Sequence, residues 1–151
     1  MTGVPLARLF AMAYRVLVDE LHARLADRGW TGVRPAFGFV LLALRDGPAG
    51  LRDLPEVLGT SKQAVSKLVD AMDGAGFLER VADPGDGRAK RVQLSAHGRK
   101  LLADVELIWA ELEEEWAQTL GRARLDDLRG DLETVLRAVH GGSLPAVRTV
   151  G

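Results

Sequence analysis

Apolar residues along this chain recur at intervals of three and four far more often than at intervals of two. Leu6, Leu9, Phe10, Ala13, Leu17, Leu21 and Leu25 make one stripe, which predicts a helix ending near Gly29. RGWTGVRP then reads as a turn, and Pro35 suits the first turn of a second helix reaching about Arg45. DGPAG at 46–50 is a break. A short helix is expected at 52–58, where Pro55 must lie in the first turn and Gly59 is the stop. Thr60 and Ser61 are capping types for a further helix running to about Ala75, with Gly76 as its C′ glycine.

The period changes to strand-like in FLERVA (77–82) and AKRVQL (89–94), which flank the turn-forming DPGDGR. Ser95 caps the next helix. Leu101, Val105, Ile108, Leu112, Trp116 and Leu120 stripe that helix over about 25 residues, nearly 40 Å. Gly121 interrupts it, and Leu125, Leu128, Leu132, Val135, Leu136 and Val139 form a last helix weakened by Gly130. GGSLPAVRTVG at 141–151 reads as a loose tail. The expected class is mainly α (α+β), in the order α-α-α-α-β-β-α-α.

On a helical wheel, residues 62–75 divide cleanly. Ala64, Val65, Leu68, Ala71, Met72 and Ala75 share one side, with Val69 at its edge; Lys62, Gln63, Ser66, Lys67, Asp70, Asp73 and Gly74 share the other. The polar side is itself graded. Its N-terminal half carries donors suited to base edges and phosphates, and its C-terminal half carries carboxylates that phosphates repel. A helix that enters the major groove by its N-terminal end needs this polarity. Gln63 can pair with an adenine edge, and a lysine with guanine acceptors. Ser66 suits a phosphate or a water-mediated base contact, while Ser61 suits a cap before a base reader. Arg88 lies in the loop of the strand pair, where an arginine can reach into a minor groove. Lys90 and Arg91 lie at the base of that loop, within reach of phosphates.

Charge supports this reading only in its distribution. The 151 residues carry a net charge of −1. Residues 60–100 hold eight Lys/Arg against five Asp/Glu, whereas 101–120 hold six acids and no base. The acids Glu113, Glu114 and Glu115 read most simply as a solvated face. With no cysteine, disulfides, thiolate metal sites and thiol sensing are excluded. His22, His97 and His140 are scattered and lack metal-ligand spacing, so neither a metal nor a cofactor is expected. No nucleophile elbow, P-loop, HExxH or dinucleotide fingerprint is present, so no enzyme is expected. No apolar run approaches a membrane span, and MTGVPLARLF does not have the build of a secretion signal. The expected compartment is the cytoplasm.

Residues 54–102, LPEVLGTSKQAVSKLVDAMDGAGFLERVADPGDGRAKRVQLSAHGRKLL, resemble the winged helix-turn-helix core of MarR-family transcription regulators. The matching pieces are LGTSKQAVSKLV, GAGFLER, DPGDGRAKRVQL and SAHGRKLL. Pro55 and Arg52 depart from the family's usual alanine and Ser/Thr cap. The resemblance implies a DNA-binding lobe over 34–96 and dimerisation helices over 5–28 and 97–140. It implies a homodimer on double-stranded DNA, contacting it through Thr60, Ser61, Lys62, Gln63, Ser66, Lys67, Arg88, Lys90 and Arg91. Asp83 or Asp86 would orient Arg88. It also implies a pocket for a small organic effector between dimer base and DNA lobe, for which Tyr14, Arg15, His22, Trp30 and Phe37 are the candidates. The function expected is a repressor on a pseudo-palindromic operator, released by such an effector. The alternative weighed is a winged helix that binds another protein, against which the display of Lys62, Lys67 and Arg88 without aromatic or aliphatic anchors argues.

Overall fold

The computed structural model describes residues 3–85 and 90–147. Six helices and three short strands follow the order α1 (Leu6–Asp27), α2 (Phe37–Ala43), β1 (Ala49–Gly50), α3 (Leu54–Leu58), α4 (Lys62–Gly74), β2 (Leu78–Val81), β3 (Arg91–Leu94), α5 (Ala96–Leu120) and α6 (Arg122–Val139). α1, α4, α5 and α6 fall where the three-and-four spacing puts them; α2 opens at Phe37, past Pro35, and ends at Ala43, and α3 opens at Leu54. The expected order changes at one point, because part of the DGPAG break is a strand. Ala49 and Gly50 pair antiparallel with Val92 and Arg91, so the sheet has the order β1-β3-β2. Two residues have no alternation to display, and their strand character comes entirely from the edge that β3 offers them.

One apolar core gathers contributions from both ends of the chain. Leu21 and Leu25 of α1, Phe37, Val40 and Leu41 of α2, and Leu54 and Leu58 of α3 meet Val65, Val69 and Met72 of α4. The sheet adds Leu78, Val92 and Leu94, and α5 adds Leu101, Val105, Ile108 and Leu112. Phe77, at the entry to β2, is at the crossing of these parts. Its ring meets Phe37 edge-on at 6.1 Å and stacks on His97 at 5.0 Å. Trp30 closes the same cluster from outside and donates its indole N–H to Asp104 Oδ2 at 2.7 Å. A buried aromatic of this kind stabilises through area and through ring geometry together.

The step from β3 into α5 is tightly built. Ser95 Oγ accepts from the Gly98 amide at 3.0 Å, capping α5, and donates to the Gly76 carbonyl at 2.5 Å. The Ser95 amide donates to the Phe77 carbonyl at 2.9 Å. Gly98 has no room for a side chain: a Cβ there would fall 2.1 Å from the Phe77 carbonyl oxygen. The first turn of α5 can approach the β2 entry only because this residue is glycine.

The outer helices are different. Of the α1 stripe, Leu21 and Leu25 are buried, but Leu6, Leu9 and Phe10 are exposed. Of the α6 stripe Leu125 is buried, whereas Leu128, Val135, Leu136 and Val139 face solvent. The glutamates of 113–115 are not merely a solvated face: Glu113 pairs with Arg129, Glu114 with Arg122 and Glu115 with Arg24. They tie α5 to α6 on one side and to α1 on the other.

Candidate nucleic-acid interface

The segment 54–74 folds as a helix, a tight turn and a second helix. Gly59 ends α3 at φ 67°, a left-handed conformation that costs a side-chain-bearing residue energy. The turn is closed by the Thr60 amide donating to the Pro55 carbonyl at 3.0 Å. Thr60 is half-buried in this turn. Ser61 is extended, and its Oγ accepts from the Ala64 amide at 3.1 Å, the cap that its residue type leads one to expect.

Val65, Val69 and Met72 hold α4 against the core, with Leu68 partly covered. Ala64 and Ala75, on the apolar side of the wheel, are exposed. The buried arc is therefore narrower than residue type suggests, because a methyl group does not decide which way a helix faces. Ser61, Lys62, Gln63, Ser66 and Lys67 are all exposed. Among the described residues neither Lys62 nor Lys67 makes an ion pair or a hydrogen bond. The acids of the C-terminal half are engaged: Arg80 of β2 reaches Asp70 at 3.3 Å and Asp73 at 3.5 Å. The polarity along α4 is thus sharpened, with open positive charge at one end and compensated negative charge at the other.

The strand pair carries the second expected contact. Leu78 faces Leu94 and Arg80 faces Val92 in the β2–β3 register, and Gln93 donates to Glu79 across it at 3.0 Å. Asp83 Oδ1 accepts from the Gly85 amide at 2.8 Å, turning the chain out of β2. Lys90 is half-buried where the chain re-enters β3, and its carbonyl accepts from the Leu51 amide at 2.9 Å. Arg91, also half-buried, donates to the Pro48 carbonyl at 3.3 Å. This bond directs Arg91 toward the β1 edge, a partner that could not be foreseen without that strand. Asp86 and Arg88 lie outside the described residues.

Two residues escaped the sequence reading. Arg52 and Arg80 join Lys62 and Ser66 around a groove of about 320 Å³ between α3, α4 and β2. In sequence Arg52 registers only as an unusual cap position and Arg80 only as one charge of a strand. Their common signal is a base on each side of the helix-turn-helix.

A second cavity, of about 310 Å³, lies among α1, α2 and α5. Tyr14 and His22 line it, together with Val18, Leu42 and Trp109. Arg15, Trp30 and Phe37 are not among its lining residues. Arg15 pairs with Asp19 at 3.3 Å on the exposed side of α1, Trp30 belongs to the aromatic cluster, and Phe37 is 1% exposed in the core. Burial pushes the His22 imidazole below its usual value, an effect that Asp19 opposes. Among the described residues no helix is long and apolar enough to cross a membrane.

A model of the MarR family matches residues 32–89. Wild-type MarR from E. coli in its apo form superposes with a TM-score of 0.72 at 23% identity, covering 90% of this chain and 99% of that one. A mutant E. coli MarR complexed with operator DNA matches with a TM-score of 0.69 at 24% identity, covering 88% of this chain and 94% of that one. The exopolysaccharide II synthesis transcriptional activator ExpG of Rhizobium meliloti (strain 1021) is 26% identical over 139 residues, 92% of this chain and 69% of that protein. The MarR family model thus falls on the helix-turn-helix and the strand pair, and the fold around them is that of the E. coli MarR structures, a winged helix-turn-helix between outer helices.

Proposed function

We propose that this protein regulates transcription by binding duplex DNA as a homodimer, with α4 in the major groove and the 82–90 loop against the neighbouring minor groove. The observation that carries the reading is the outward face of α4: Lys62, Gln63, Ser66 and Lys67 are exposed together, and the two lysines lack a carboxylate partner among the described residues. Unpaired cations on a well-packed helix contribute little to stability, and phosphates are the complement they lack. Arg52 and Arg80 flank the same face. Arg88 would supply the minor-groove contact, and Asp83 or Asp86 its orientation.

Dimerisation supplies the second half-site. The exposed Leu6, Leu9 and Phe10 of α1 and Leu128, Val135, Leu136 and Val139 of α6 form apolar faces that a second copy would cover. The DNA-binding lobe would span 34–96, and the helices of 5–28 and 97–140 would carry the two-fold. Two recognition helices roughly 34 Å apart would then read a pseudo-palindrome. A small organic effector in the α1–α2–α5 cavity would release the DNA by favouring a dimer with a different helix spacing. Such a dimer represses wherever its operator overlaps a promoter.

Selection of bound sequences from random duplex DNA, followed by a gel shift on the winning sequence, tests the reading. The expected product is a pseudo-palindrome bound by two copies, with affinity falling steeply as salt rises. Absence of any duplex binding at low salt would favour a winged helix that docks on protein.

A further inference from the structure

The chain beyond α6 turns back on the molecule. Gly141 and Gly142 have φ of 67° and 99°, a reversal that glycine makes without strain. The Gly142 amide donates to the Arg137 carbonyl at 2.8 Å, and His140 Nδ1 lies 3.2 Å from both the carbonyl and the hydroxyl of Ser143. Past this anchor, no hydrogen bond holds residues 144–147 to any described residue. Yet Val147 lines the α1–α2–α5 cavity, together with Tyr14, Val18 and His22 of α1 and Leu42 of α2. The segment expected to be a loose tail thus reaches the wall of the α1–α2–α5 cavity.

We infer that Leu144–Val147 is a strap across this cavity, seated by the Val147 side chain and lifted when a ligand enters. The proposal rests on the reading of the cavity as a ligand site. Its physical basis is the contrast between a fixed hinge and a weakly held end. Residues 140–143 are pinned by hydrogen bonds, whereas Val147 has none to any described residue and is 54% exposed. A half-covered valine gives up little free energy on leaving, so the strap opens locally at low cost while α6 stays folded. A ligand must displace it, and its apparent affinity is lowered by the fraction of molecules in which the strap is seated.

Binding of the neutral apolar dye N-phenyl-1-naphthylamine to the full-length protein tests this. Val147→Ser should tighten binding by about fivefold, because the seated fraction falls. Ala146→Ser, the same chemistry at an exposed neighbour that does not line the cavity, should leave it at the parent value. Gly38 lines the cavity and a Cβ there meets nothing within 4 Å, so Gly38→Phe can plug the space without distorting α2. In that background the dye signal and the effect of Val147→Ser should both vanish. Equal binding by parent and Val147→Ser, with a plug that abolishes it, overturns the strap and leaves the cavity standing. Dye binding that Gly38→Phe does not affect, or no dye binding at all, overturns both.

Discussion

The helix-turn-helix lobe and the outer helices of this molecule solve opposite problems with similar material. In the lobe, α2, α3, α4 and the sheet bury most of the large apolar residues they carry, with Leu42 and Val57 exposed, and positive charge is left open on the surface of α4. In α1 and α6 much of the apolar stripe is left open, and several of the arginines are paired. Arg24 reaches Glu20 and Glu115, Arg28 reaches Glu111, and Arg122 and Arg129 reach Glu114 and Glu113. A covered core with unpaired cations suits a surface that meets a polyanion; paired charges around exposed leucine and valine suit a surface that meets another apolar face. The same contrast separates what each region should do when it is altered.

The largest effect is expected at the crossing of the lobe with α5. Phe77→Ala should cost about 4 kcal/mol of unfolding free energy, since the ring is buried among Phe37, Trp30 and His97. Urea unfolding would show the loss at every protein concentration. Gly98→Ala should follow at about 3 kcal/mol, because the new methyl would collide with the Phe77 carbonyl rather than with a flexible side chain. If Gly98→Ala unfolds at the parent's midpoint, the close approach of α5 to β2 is not as described. On the outer helices the prediction takes another form. Leu136→Asp, at an exposed α6 position, should leave the chain folded but shift its sedimentation from dimer to monomer and make its thermal midpoint independent of concentration. A parent that is monomeric to begin with would remove the reason for the exposed face.

Smaller effects sharpen the contrast. Ser61→Ala removes the cap of α4 and should cost about 1 kcal/mol, read by urea unfolding. The smallest effect is the pH response of His22. Its folded-state pKa is lowered, so the stabilising preference for neutral imidazole is complete above the ordinary value of 6.5 and is lost as pH falls through the folded-state value. His22→Gln should therefore flatten the stability curve just below pH 6.5 and leave it unchanged at pH 8; equal slopes for parent and variant would show that burial at the cavity wall does not perturb the ring.

How much of this could be read from the residues alone depends on whether the cause is local. Caps and stops were legible, because Ser61, Ser95 and Gly59 act on their own helix ends. So was the orientation of α4, set by Val65, Val69 and Met72. β1 was not, because Ala49 and Gly50 become a strand only when β3 presents an edge to them. The partners of Glu113, Glu114 and Glu115 were not, since the arginines lie on neighbouring helices that sequence spacing does not bring together. The need for glycine at 98 was invisible for the same reason: the atom that forbids a side chain belongs to Phe77. The cavity shows the limit most plainly. Tyr14 and His22 of the five candidates line it, and Leu42 and Val147 join them as ordinary apolar residues distinguished by where the fold brings them.

The central claim is that the open lysines of α4 meet phosphates, and the salt dependence of duplex DNA binding measures this directly. Parent, Lys62→Ala, Lys67→Ala and the double variant would be titrated with one selected duplex over a series of salt concentrations. Each lysine lost should flatten the plot of log affinity against log salt by about one unit per subunit, with unfolding stability within about 0.5 kcal/mol of the parent. Slopes and affinities that coincide for all four proteins would contradict the account, because the exposed face of α4 would then not be the surface that touches DNA.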